Sequence, residues 1–268
     1  SLTQQRVAGC RFSGVIFTNL TQDHLDYHSS MEEYFEAKSL LFNSPLLGFG
    51  GTRAVINVDD FWGRKLAAKM EGLCWRCSLG ENAIKSPEIH LTINDLEITP
   101  RGIKGRMHTP MGEGQFLSPL IGRFNLMNLL QAVGVLVQQG LPLKLLLKQV
   151  ENFSGVPGRM ERVQVDSQNE NFKLPMVLVD YAHTPDGLKN ALIASRSLAK
   201  GRLICVFGCG GDRDREKRSQ MGAISADLAD YSILTSDNPR SEEPYSIVED
   251  ILLGIPKNVN YSIEIKRE

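Results

Sequence analysis

The stretch RLICVFGCGGDRDREKRSQMGAISADLADYSILTSDNPR, Arg202–Arg240, decides the fold. A short apolar run ends in glycines and charges, a helix-length segment follows, and a second apolar run ends in another polar turn. Short β-forming runs that alternate with helical segments argue for parallel strands joined by crossover helices. The alternation extends in both directions: MVLVDYA (176–182) and a helix PDGLKNALIASRSLA (185–199) precede it, and a helix PYSIVEDILLG (244–254) and VNYSIEIK (259–266) follow it. The expectation is a doubly wound parallel sheet, which holds its ligand at the carboxyl ends of its strands. Polar stretches follow three successive strands there: DYAHTPD, GCGGDRDREKR and SDNPRSEEP. Asp, His, Arg and Asn gathered at three strand ends point to a site, although each stretch taken singly is also what turns use.

Two familiar phosphate motifs fail on spacing. Gly208-x-Gly210 is followed by Arg213 where a dinucleotide-binding turn needs its third glycine, and no GxxxxGK[ST] loop occurs in the 268 residues.

The first half mixes helices with strands such as GTRAVINVDD (51–60). Residues 89–122, IHLTINDLEITPRGIKGRMHTPMGEGQFLSPLIG, alternate and turn as antiparallel hairpins do. The mostly apolar NLMNLLQAVGVLVQQGLP, Asn125–Pro142, reads as a buried helix stopping at Gly140. Farther upstream, FTNLTQDHLDYHSSMEEYFEAKSLLF (17–42) sets two histidines, two aspartates and a lysine at a helix entrance. Ser30 and Glu33 have capping-box spacing, so the helix should start at Met31. At 100° per residue, Met31, Tyr34, Phe35, Leu41 and Phe42 fall within roughly 60° of Lys38, while Glu32, Glu33 and Glu36 point away. A lysine on an apolar stripe either lays its methylenes along that surface and reaches water, or loses its proton to burial and becomes chemically usable.

With 30 basic and 31 acidic side chains and a net charge of −1, nothing suggests nucleic acid or an anionic membrane as partner. The absence of a secretory opening and five cysteines, an odd number, suggest the cytoplasm rather than a disulfide framework. Cys74-Trp-Arg-Cys77 lacks the second pair of a zinc ribbon and the following helix of a redox motif, and Cys205 reads as a small core residue.

FTNLTQDHLDYH…YFEAKSLLF, GRFNLMNLLQAV, GVPGRMERV, VDYAHTPDGLKNAL, VFGCGGDRDREKR and SDNPRSEEP, in this order, resemble the Mur ligases, most closely the branch that adds meso-diaminopimelate. The resemblance covers essentially the whole chain. It implies an α/β fold with part of a central ATP-binding domain in residues 1–156 and an incomplete Rossmann-like, doubly wound C-terminal domain in residues 157–268. The family's UDP-binding domain, GTNGKT-type phosphate loop and GKGHE-type segment do not occur here, so the chain is expected to be an internal piece without a complete triphosphate cradle. The implied activity is ATP-dependent amide formation by a monomer acting on UDP-MurNAc-dipeptide and meso-diaminopimelate, as part of peptidoglycan synthesis. A lysine- or glutamate-adding ligase of the same fold and a non-catalytic binding remnant are the alternatives.

By the same resemblance Lys38 is the family's carbamylated lysine, which together with His24 holds Mg2+, while His28 is structural. Asn128 meets the adenine of ATP, and Arg159, Asp180 and His183 its ribose and phosphates. Gln4 and Arg6 meet the muramoyl-peptide. Arg213, Asp237, Asn238 and Arg240 form the pocket for diaminopimelate.

Overall fold

The structure is a computed structural model that describes residues 2–21, 28–42, 54–70, 72–99, 102–163 and 174–266. It divides into two compact units, Ser1–Ser154 and Gly155–Glu268, two residues before the boundary expected from sequence. The first runs β1 (Val15–Phe17), α1 (Met31–Ser39), β2 (Ala54–Asn57), α2 (Phe61–Lys69), β3 (Cys74–Cys77), β4 (Thr92–Thr99), β5 (Gly102–Thr109), β6 (Gly112–Ser118), α3 (Arg123–Gln138) and α4 (Leu143–Asn152). The second runs β7 (Glu161–Arg162), β8 (Leu178–Val179), α5 (Pro185–Leu198), β9 (Ile204–Phe207), α6 (Glu216–Leu228), β10 (Tyr231–Thr235), α7 (Pro244–Leu252) and β11 (Tyr261–Glu264).

In the first unit β1, β2 and β3 pair in parallel with β2 central. All four residues of β2 are buried, as a strand covered on both faces requires. Successive residues alternate between two cores: Ala54 and Ile56 join Phe17, Phe35 and Leu66, while Val55 joins Leu126, Leu130 and Val133 of α3. β4, β5 and β6 form the antiparallel meander expected of residues 89–122. Helix α3 stops as Gly140 predicts: Gly140 adopts φ +88°, its N–H donates to Val137 O (2.9 Å), and that of Leu141 donates to Leu136 O (3.2 Å). Burial raises the Cys74 and Cys77 thiols above their usual range, and the Cys77 thiol donates to Ile56 O at 3.2 Å. Both serve as packing residues.

In the second unit β9, β10 and β11 form a parallel sheet in the order β11-β10-β9. Leu234 of β10 packs with Ile247, Val248 and Ile251 of α7, and Cys205 of β9 with Leu188 and Leu192 of α5 and Met221 of α6. Segment MVLVDYA differs from expectation. It contributes only the two-residue β8, paired antiparallel with β7 rather than with the parallel sheet. Asp180 is the reason: it accepts the N–H groups of Met160 and Ala182 (both 2.8 Å), which ends the strand and fastens it beside the Gly158–Met160 turn. No helix among the described residues is long and apolar enough to cross a membrane.

Candidate functional site

Helix α1 begins where its cap dictates. Ser30 Oγ accepts the Glu33 N–H at 3.1 Å, but the Glu33 carboxylate returns to Ser29, taking its N–H (2.8 Å) and hydroxyl (2.5 Å), so the box closes one residue early. That anchored turn aims Lys38 into a cleft of about 600 Å³ that Gln4, Arg6, Thr18, Asn19 and Tyr34 also line. Lys38 is half-buried, with Nζ 5.0 Å from the centre of the Tyr34 ring. His28, 8% exposed, stacks on the same Tyr34 ring, with ring centres 4.9 Å apart. Three residues expected at the site, Gln4, Arg6 and Lys38, thus share one cleft although 32 residues separate the last two. His24 lies outside the described residues. Asn128 is exposed on α3, while its helix neighbours Asn125, Leu129 and Gln131 are buried.

As an ammonium, Lys38 repels a divalent cation; as a carbamate it offers two anionic oxygens, the donor type Mg2+ takes. None of the described residues lining the cleft is a carboxylate, so the carbamate is the form in which Lys38 would offer a magnesium ion an anionic donor there.

In the second unit, three strand ends build the remaining candidate groups. After β8, Asp180 clasps Met160, a residue at φ +47°, and the Arg159 guanidinium lies 5.0 Å from the ring centre of Tyr181. Tyr181 is 66% exposed, and its ring packs edge-on against His183 with centroids 5.4 Å apart. Arg159, Asp180 and His183 are brought together, and the sequence reading passed over Tyr181. An aromatic between Asp180 and His183 at a strand end was the available signal.

The loops after β9 and β10 meet backbone to backbone. Gly211 N–H donates to Asn238 O at 2.8 Å, and Arg240 Nη1 donates to Gly211 O. Only glycine permits this approach, because a Cβ on Gly208 would lie 2.2 Å from Thr235 O and one on Gly211 1.9 Å from Pro239 O. Asn238 thus contributes a main-chain acceptor to the loop pair. Arg213 and Arg240 are exposed on facing loops, and Asp237 is exposed at the end of the β10 strand segment.

Beneath them lies a residue that sequence reasoning missed. Arg218 of α6 is 1% exposed and donates to Glu242, Asp250 and Gly210 O. Its two bonds to Glu242 are the largest cause holding that carboxyl down at about 2. In sequence, Arg218 looks like one more charge in REKR.

Residues 1–136 match the Mur ligase middle domain, and residues 158–267 match the domain described as Mur ligase, glutamate ligase domain. The chain is 60% identical, over 267 residues, to the UDP-N-acetylmuramoyl-L-alanyl-D-glutamate--2,6-diaminopimelate ligase of Parasynechococcus marenigrum (strain WH8102), covering 100% of this chain and 52% of that protein. The enzyme of the same name from Gloeobacter violaceus (strain ATCC 29082 / PCC 7421) is 52% identical with the same coverage. The chain spans about half the length of the curated relatives it matches. A solved structure of a ligase of that name is 35% identical, with TM-score 0.60, over 99% of this chain and 52% of that one. Mycobacterium tuberculosis folylpolyglutamate synthase complexed with ADP shares the fold at TM-score 0.71 and 18% identity, over 94% of this chain and 53% of that one. Two family domains that together span nearly all of the residues, on a parallel-sheet architecture with glycine-built strand ends, establish that the chain belongs to the Mur ligase family.

Proposed function

We propose that this chain is the nucleotide- and amino-acid-handling part of an ATP-dependent amide ligase that adds meso-diaminopimelate to UDP-MurNAc-L-Ala-D-Glu in peptidoglycan precursor synthesis. The observation that carries the choice of amine is the loop pair after β9 and β10, where Arg240 is tethered through one nitrogen to Gly211 O and Arg213 faces it from the neighbouring loop. Lysine and meso-diaminopimelate differ by one distal carboxylate. A planar guanidinium held through Nη1 still has its Nε and Nη2 donors to pair bidentately with such a group, and is left without that partner when lysine binds.

The peptide carboxylate attacks the γ-phosphorus of ATP, ADP leaves and an acyl phosphate forms; the neutral amine then attacks that carbonyl, phosphate leaves and the amine's extra proton passes to solvent. Both steps crowd anions together, so fixed cations are the expected catalysts and no side-chain nucleophile is needed. Bound Mg2+ supplies charge neutralisation for the phosphates and the carboxylate. Lys38, as its carbamate, and His24 hold that ion. Gln4 and Arg6, lining the same cleft as Lys38, steady the muramoyl-peptide. Asn128 meets the adenine, and Arg159, Asp180 and His183 meet the ribose and phosphates. The reading places a monomer in the cytoplasm, where ATP and the nucleotide-linked acceptor are available.

Parallel assays with two amines test it in the full-length enzyme. Arg240→Ala should lower kcat/KM for diaminopimelate by tens- to several-hundred-fold, from about 2–4 kcal/mol for a charge-assisted pair, while lysine stays level or gains. An equal loss for both amines overturns the assignment.

A further inference from the structure

We propose that Arg218, gripping Glu242, is the positioning residue of the amino-acid pocket: without touching substrate, it fixes the two loops that carry Arg213 and Arg240. The proposal rests on the reading of those loops as the amine site.

Arg218 is among the largest fully buried side chains of the described residues, and at 1% exposure it is out of reach of any ligand. Its Nη1 donates to Glu242 Oε2 (2.9 Å) and Asp250 Oδ2 (2.8 Å), and its Nη2 to Glu242 Oε1 (2.7 Å) and Gly210 O (3.3 Å). Glu242 in turn accepts the Asp212 N–H at 2.6 Å and Arg215 Nη2 at 2.9 Å. One guanidinium therefore joins the loop after β9, through Gly210, to the loop after β10, through Glu242, and both to α7 through Asp250.

Stability does not require this arrangement. Well-packed apolar side chains of the same volume are often as stabilising as a buried ion cluster, because desolvation offsets the attraction between the charges. What the cluster adds is direction. Its bonds fix the angle between two loops, which dispersion contacts leave free to slide. That constraint has work to do here, since Asp212 and Arg240 both sit in the left-handed region, at φ +52° and +50°. Non-glycine residues remain there only when their surroundings over-determine them. The N–H of Asp212 is fastened to Glu242, its carboxylate accepts from Ser241 Oγ at 2.6 Å, and Arg240 directly precedes Ser241. Release of Glu242 frees both strained residues together, and the fork of Arg240 loses its fixed direction. The expected signature is a defect in amine capture, with the handling of the other substrates intact.

The full-length enzyme tests this. Wild-type is first offered diaminopimelate, lysine and glutamate to identify the amine it uses. KM values for that amine, for ATP and for the UDP-linked acceptor are then measured in Arg218→Lys, which keeps the charge but not the fork, and in Glu242→Gln, which keeps the shape but not the charge. The amine KM should rise about tenfold or more, with the other two changed less than about twofold. Because Arg218 acts through the loops that carry Arg213 and Arg240, its effect and that of Arg240→Ala should combine to less than their product in the double variant Arg218→Lys/Arg240→Ala. Equal rises in all three KM values, or multiplicative effects in the double variant, would assign Arg218 a general structural role and overturn the proposal. If Arg218→Lys does not fold, Glu242→Gln carries the same comparison. Should wild-type prefer lysine, the diaminopimelate reading fails, while the KM split for lysine still decides the role of Arg218.

Discussion

Gly211→Ala is the most direct probe of the loop pair. The added Cβ would stand 1.9 Å from Pro239 O, 2.6 Å from its carbonyl carbon and 3.2 Å from its Cα, against 3.4 Å for ordinary contact. Those neighbours are all backbone, so the loops must separate by the missing 1.5 Å, the difference between 1.9 and 3.4 Å. Such a movement stretches the 2.8 Å bond from Gly211 N–H to Asn238 O beyond hydrogen-bonding range and pulls on the bond from Arg240 to Gly211 O. Overpacking costs about 1–3 kcal/mol and each lost bond about 1 kcal/mol, while the stiffer unfolded chain returns about 0.4–1 kcal/mol. The net is about 3 kcal/mol, a fall in Tm of roughly 6–12 °C for a cooperative unit of about 150–250 residues and less for a larger one. Gly201→Ala is the internal control, since its Cβ would meet no heavy atom within 4 Å. Thermal melts of the full-length protein should show a large drop for Gly211→Ala and none for Gly201→Ala. If the two variants melt alike, the close approach of the loops is not a property of the folded protein and the argument built on it falls.

Lys38→Ala should abolish turnover of the full-length enzyme, with partial recovery when carbon dioxide or short carboxylic acids refill the anionic position; near-normal rates would return Lys38 to a side chain that merely lays its stem along apolar surface. Acid should loosen the second unit through Glu242, whose carboxyl is lowered from 4.5 to about 2 by Arg218, so its contribution is complete above about 4.5 and disappears as pH falls toward 2. The Asp212 carboxyl, lowered by its bond to Ser241, acts in the same direction. Denaturant titrations between those pH values should show a shallower pH dependence for Glu242→Gln than for wild-type, and an unchanged slope would remove Glu242 from the acid response.

Much of the fold was legible because its signals are local. The Ser30 cap placed the start of α1 at Met31, Gly140 ended α3, and the alternation around Arg202–Arg240 yielded β9, α6 and β10 in order. The sequence also named Asp180 with His183, and Asn238 with Arg240, as candidates because each pair stands within one motif. Two features were not legible. A three-residue strand, β1, is too short to show a period, and β8 reads as a parallel strand until the Asp180 carboxylate, drawing on Met160 20 residues earlier, turns it aside.

Composition, caps, turns and periodicity determined that this chain is an α/β protein with polar strand ends, since each of those properties depends on residues a few positions apart. Tertiary structure decided which polar residues work together. Arg218, Glu242 and Asp250 are separated by 24 and 32 residues from one end of the cluster to its partners, and each alone has the look of a solvated helix or loop charge. Their meaning comes from burial: a charge withdrawn from water must find opposite charges and carbonyls within reach, and only the packed fold determines which ones those are.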